Sequence, residues 1–96
     1  MTFSRIGDNP ERCLHCELVP AEDWADWRFG PMSELLRPAA GWEGGDLPMR
    51  PSIMGTAMDR LHELRDPELF TDNGYVYMAY CGVAESGIGI AKVDRL

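Results

Sequence analysis

Residues 64–93 read LRDPELFTDNGYVYMAYCGVAESGIGIAKV, and this pattern predicts three short β-strands. The first, at about 68–71, runs into Asn73-Gly74, which is typical of a type I′ hairpin turn because both central residues need positive φ. The second, 75–82, carries apolar or aromatic residues on both of its alternating faces, which predicts a packed neighbour on each side. The third, 87–93, alternates small and aliphatic residues, so another layer can approach it closely.

The composition is that of one small globular domain spanning residues 1–96. The chain is 45% apolar, and its ten glycines and seven prolines indicate many turns, which favours β over helical architecture. A domain of 96 residues buries a smaller share of its surface than a larger one does, and association with further copies is a natural remedy.

The charge and the termini exclude several classes of partner. The formal net charge is −7, which argues against nucleic acid and against anionic membranes, since both attract clustered Lys and Arg. The first twelve residues lack the apolar core of a signal peptide, and no apolar stretch reaches the roughly 20 residues of a membrane span. We therefore expect a cytoplasmic protein.

Elements of the first 64 residues are less regular. Residues 12–19 alternate as a strand whose core side we expect to be Leu14, Cys16 and Leu18. Residues 20–27 fit one helical turn, and 28–37 an extended stretch that Pro31 confines to a sheet edge. Residues 38–55 form a long loop without regular elements, of a kind that is commonly functional or mobile. Residues 56–64 fit either a short helix or an irregular segment.

A series of residues also occurs along the chain in an order that can be recognised. They are Leu64-Arg65-Asp66-Pro67, Phe70, Asp72, Gly74, Tyr77, Tyr80, Glu85-Ser86-Gly87-Ile88 and Ala91, and upstream Arg5-Ile6-Gly7-Asp8, Pro10-Glu11-Arg12, Asp23-Trp24, Trp27, Pro38, Trp42-Glu43-Gly44, Pro51-Ser52 and Gly55. This order resembles the carboxy-terminal part of the five-bladed β-propeller glycosidases, the superfamily that includes arabinan-, xylan- and fructan-cleaving enzymes.

The resemblance implies a mainly β fold, with antiparallel sheets of one to two propeller-type blades and long loops. Two strands, 12–19 and 28–37, would belong to one blade, and the three strands of 64–93 to the next. A propeller closes only with its full set of blades, so an isolated chain would leave sheet edges and apolar faces uncovered. We therefore predict a homo-oligomer.

Candidate site residues follow from the same resemblance. Glycoside hydrolysis needs two carboxyl groups across the scissile bond, and the matching positions for them are Asp66, Glu43 and Glu85. Pro67 would hold Asp66 extended at the mouth of an inner strand. Each carboxyl also has a structural alternative: an ion pair with Arg65 for Asp66, a solvated loop position for Glu43 and a hairpin turn for Glu85. The expected sugar contacts come from Trp42, Arg65 and His62.

Cysteine and histidine positions favour neither a metal nor a cofactor. Three cysteines are an odd number, so reduced thiols are expected. Cys13 and Cys16 with His15 resemble a zinc motif, but residues three apart on a strand point to opposite faces and cannot share a metal. Nothing around them marks a stabilised thiolate for nucleophilic catalysis either.

Three functions stay open from the sequence. The first is a non-catalytic or vestigial propeller-glycosidase-like oligomer that binds carbohydrate, since one copy brings too few groups for a complete active site. The second is a glycoside hydrolase that is active only as a multi-chain assembly. The third is an assembly or partner-binding module with no sugar role.

Overall fold

The computed structural model describes residues 1–56 and 59–94 and confirms a mainly β chain. The strands in this part of the chain are β1 (Thr2–Phe3), β2 (Cys13–Val19), β3 (Arg28–Leu36), β4 (Leu64–Asp72), β5 (Tyr75–Gly82) and β6 (Gly87–Val93). They form two antiparallel sheets, an amino-terminal sheet in the order β1-β2-β3 and a carboxy-terminal sheet in the order β4-β5-β6. In the described residues no helix has the length and apolar character needed to cross a membrane.

The carboxy-terminal sheet follows the predicted pattern closely. The second and third predicted strands coincide with β5 and β6, and Asn73 and Gly74 have φ of 52° and 80°, as a type I′ turn requires. The first strand is longer than predicted and begins at Leu64, because a bulge between Arg65 and Glu68 lets the pairing with β5 continue past Pro67. Sequence alternation alone does not reveal such a bulge.

The predicted conformation of Asp66 is wrong. Asp66 lies within that bulge at φ 52°, in the left-handed region, rather than in the extended backbone expected before a proline. Its side chain is exposed at the sheet surface.

The predicted core side of β2 is also partly wrong. Irregular pairing with β3 between Cys13 and Leu14, and again between Cys16 and Leu18, shifts the alternation along the strand pair. Cys13 is therefore 0% exposed, together with buried Leu14 and Cys16, while Leu18 is 40% exposed.

The irregular segments match the predictions made from the sequence, with one correction. A 3₁₀ turn at Trp24–Asp26, capped by Asp23, occupies the predicted helical turn, and β3 with Pro31 lies at a sheet edge. The loop 38–55 contains a second 3₁₀ turn, Gly41–Glu43, where no regular element was expected. The alternative helix at 56–64 falls partly outside the described residues, and its described part from residue 59 is not helical.

The two faces of the carboxy-terminal sheet differ in what covers them. The inner face carries Leu64, Met78 and Tyr80, which form the core with Cys13. Side chains packed around that core are Leu35, Leu36, Leu69, Ala91 and Val93. Cross-strand pairs define the opposite, outer face as Phe70, Tyr77, Ala79, Ile88 and Ile90. Ile88 and Ile90 are 79% and 64% exposed.

Candidate functional site

The loop between the two sheets folds around Glu43. The chain turns at Gly44, whose φ of 88° suits glycine, and a Cβ at Gly44 would collide with the carbonyl oxygen of Leu61. The Gly45 position is equally tight, because a Cβ there would collide with the backbone of Ala39. The two glycines of the Trp42-Glu43-Gly44-Gly45 motif therefore let the loop pack closely against neighbouring backbone.

Glu43 is a buried carboxylate whose two oxygens accept hydrogen bonds, one from the loop and the other from the core. Its Oε1 accepts from the backbone N–H groups of Ala40 (3.0 Å) and Ala39 (3.4 Å), which is the side-chain half of a capping box. Its Oε2 accepts the hydroxyl hydrogen of Tyr80 at 2.8 Å. Its backbone carbonyl accepts from the N–H of Val83 (3.2 Å). This geometry favours an orienting role over direct contact with a substrate.

Trp42, next to Glu43, is the exposed part of this arrangement. Its indole is 56% exposed, and its ring centroid lies 6.1 Å from that of Tyr80, with an angle of 30° between the planes. Tyr80 itself is buried. Trp42 is thus an aromatic surface that rests on a buried ring and sits on a tightly packed loop. Flat apolar faces of ligands stack on such surfaces.

Arg65, predicted as a sugar contact, is buried in an ion-pair network. Its guanidinium lies 2.9 Å from Glu63 Oε2 and 3.2 Å from Glu11 Oε2. It also donates to the backbone carbonyls of Gly55 (2.8 Å) and Ile53 (3.2 Å). Three of these partners accept hydrogen bonds and Glu11 adds an ion pair, so the geometry favours a structural role for Arg65.

Glu11 and Glu63 were missed by the sequence analysis. Both are buried, and the Oε1 of Glu11 accepts from the Ser4 hydroxyl at 2.6 Å. Each lies in an irregular segment beside the start of a strand, where periodicity carries no signal. Both lie against Arg65, which follows Glu63 by two residues but is distant from Glu11 in the sequence.

The other predicted residues lie in two different places. His62 is buried, and its Nδ1 lies 2.8 Å from the carbonyl oxygen of Leu47, so it links the segment before β4 to the loop. Asp66 and Glu85 are exposed, and both act with burial to raise the pKa of Cys81. The structure thus brings two predicted carboxylates near one thiol, while Glu43 is engaged on the inner side of the sheet. Their catalytic roles stay predictions.

Burial also raises the pKa of two core groups, Cys13 and Tyr80. Burial, with Glu43 and Glu11 nearby, raises the pKa of Cys13 to about 12. Burial, the hydrogen bond to Glu43 and the nearby carboxylate charge raise the pKa of Tyr80 as well. Both groups therefore stay protonated near neutral pH, and Tyr80 remains a donor to Glu43.

Within residues 1–56 and 59–94, no group of three or more His, Cys, Asp and Glu side chains could hold a metal ion. A cavity of about 250 Å³ lies where the sheets meet. Its lining residues are Leu35, Leu36, Met78, Ala91, Lys92, Val93 and Asp94. Its walls are largely aliphatic, and none of the predicted site residues lines it.

Comparison with known proteins gives one relative. The chain is 41% identical over 93 residues to an uncharacterized protein of Acanthamoeba polyphaga mimivirus. The match covers 96% of this chain and 26% of the relative, so the chain spans about a quarter of that protein's length. No family model and no solved structure matches.

Proposed function

We propose that this chain is a carbohydrate-binding unit of propeller-glycosidase type that has no complete catalytic site of its own. The observation that carries the proposal is Trp42, an exposed indole braced by buried Tyr80 on a tightly packed loop. Apolar faces of sugar rings stack on aromatic side chains, and a platform that is already ordered loses little entropy when it binds.

The blade interpretation rests on the two sheets and on the open face of one of them. A propeller blade has four strands, so the six strands of the described chain correspond to about one and a half blades. The inner face of the carboxy-terminal sheet is covered by the chain itself, whereas the outer face is open.

The state of the carboxylates indicates that a single chain could bind a sugar but not cleave it. Both oxygens of Glu43 already accept hydrogen bonds from the protein. Hydrolysis needs an acid and a second carboxylate facing each other across the bond. Glu43 therefore orients the Trp42 loop in this proposal, and further chains or blades would have to supply a catalytic pair.

Binding to soluble xylan, arabinan and fructan tests the proposal. Isothermal titration of the purified chain should detect at least one of them, and Trp42→Ala should weaken that binding by about tenfold or more. Trp24→Ala is the matched control, because Trp24 is exposed on a different turn and should not contribute. Equal affinities of the two variants, or no binding by the wild type, would contradict the proposal.

A second candidate is a glycoside hydrolase assembled from several chains. The observation in its favour is that Asp66 and Glu85 lie at one end of the carboxy-terminal sheet, since Asp66 follows the residue paired with Cys81 and Glu85 lies in the turn after β5. Release of reducing sugar by the assembled wild type, lost in Asp66→Asn or Glu85→Gln, would select this candidate. Binding without turnover selects the first, and neither activity leaves a module that only binds partners.

A further inference from the structure

Gly89 occupies the point where the two rings of the proposed platform meet the sheet. It pairs with Tyr80 across β5 and β6 and is buried. A Cβ at Gly89 would lie 2.6 Å from Cζ of Tyr80 and 2.7 Å from Cη2 of Trp42. Real Cβ atoms do not make contacts that close, so a methyl group at Gly89 requires one ring to move.

Gly87 shows that this constraint is local. It lies two residues earlier on β6, on the same side of the strand. The nearest atom to a Cβ there is the carbonyl oxygen of Gly82, at 4.0 Å. Neither Gly87 nor Gly89 has a positive φ, so backbone conformation does not distinguish them. What distinguishes them is the ring pair above Gly89.

Of the two rings, Trp42 is the one that can yield. The Tyr80 ring is buried in the core, and its hydroxyl is bonded to Glu43. The indole has open space on its exposed side. An added methyl at Gly89 would therefore lift Trp42 away from Tyr80 and into solvent.

We infer that Gly89 is the positioning residue of the Trp42 platform. The absence of a side chain at this position lets the indole settle on the sheet and lean on Tyr80. A sugar ring would then stack on the side of the indole that faces solvent. Gly89 acts through Trp42 and does not contact the ligand. This inference rests on the proposed carbohydrate binding.

The test uses a background in which Trp24 and Trp27 are replaced by Phe, so that Trp42 alone reports in fluorescence. In this background Gly89→Ala should shift Trp42 emission to the red and increase quenching by acrylamide. It should also weaken binding of xylohexaose, or of arabinohexaose as the second probe, by about tenfold. Gly87→Ala should leave emission, quenching and affinity within about twofold of the parent, because its methyl group makes only an ordinary van der Waals contact with the carbonyl oxygen of Gly82.

Gly74→Ala separates positioning from general loss of stability. Gly74 has φ of 80° and no neighbour within 4 Å, so alanine there strains the turn without contacting Trp42. It should lower the unfolding midpoint and leave Trp42 emission unchanged. Unchanged emission in Gly89→Ala overturns the inference whatever the sugar result. If the emission shifts but the parent binds neither probe, the proposed function is overturned. Only the statement that Gly89 positions the Trp42 ring is then supported.

Discussion

Cys13 shows at the scale of one residue how burial sets chemistry. Its thiol is fully buried between the sheets, and burial beside Glu43 and Glu11 raises its pKa from 9.0 to about 12. The sequence excluded a zinc site on the assumption of regular strand alternation. Extra residues on β3 make the pairing with β2 irregular, and Cys13 is buried in the core with Leu64, Met78 and Tyr80.

Cys13 makes the protein sensitive to alkali. Below pH 9 the thiol is protonated in both the folded and the unfolded chain, so its contribution is fully present. Above pH 9 only the unfolded chain loses the proton, so stability falls as the pH rises towards about 12. Between pH 9 and 10.5 we expect a loss of about 2 kcal/mol from this group. Urea unfolding measures it, and Cys13→Ala should flatten the slope. An equally steep slope in the variant would contradict the assignment.

Arg65 is a buried cation that neutralises the negative charges of Glu11 and Glu63. Arg65→Met leaves Glu11 and Glu63 buried without their cation, and we expect a loss of about 3 to 5 kcal/mol in unfolding free energy. Arg37→Met is the control, because the Arg37–Glu34 pair is exposed and solvent screens it, so its loss should be much smaller. Chemical denaturation measures both. Similar losses in the two variants would contradict the buried network.

At the scale of an element, the turn between β5 and β6 is the least regular part of the sheet. Val83 and Ala84 both have positive φ, at 52° and 58°, and both are buried. Their N–H groups donate to the carbonyl oxygens of Glu43 (3.2 Å) and Glu63 (3.0 Å). These bonds offset a conformation that costs roughly 1 to 2 kcal/mol per non-glycine residue.

The strain at this turn predicts an unusual effect of glycine. Ala84→Gly relieves the left-handed conformation but removes a buried methyl group and adds backbone entropy, so we expect stability within about 0.5 kcal/mol of the wild type. Ala79→Gly on β5 has no such relief and should cost about 1 kcal/mol or more. Thermal or urea unfolding compares them. Equal losses would show that the turn is unstrained.

At the scale of the whole molecule, the chain covers one face of its carboxy-terminal sheet and leaves the other open. The outer face joins the exposed Ile88 and Ile90 to the stacked rings of Phe70 and Tyr77, 5.5 Å apart. In the described part of the chain, β6 pairs only with β5, so its other edge carries unmatched backbone groups. An open edge beside an apolar face favours association with further sheets.

The predicted homo-oligomer should have a mass in solution above that of one chain. Light scattering after size exclusion should give a multiple of 10.8 kDa for the wild type at micromolar concentration. Ile90→Asp, which places a charge on the outer face, should return the single-chain mass. Ile53→Asp is the control, since Ile53 is exposed in the loop outside both sheets. A monomeric wild type would contradict self-association.

Local sequence was enough to predict β5, β6, the turn before β5 and the edge position of β3. Alternation fixed β5 and β6, Asn73-Gly74 fixed the type I′ turn, and Pro31 confined β3 to an edge, because each depends on neighbours in the chain. The site needed contacts between distant segments. Glu43 and Trp42 meet Tyr80, and Glu11 meets the Arg65–Glu63 pair, only after the sheets pack. Burial and ion pairing are properties of that packing, so tertiary structure alone decided them.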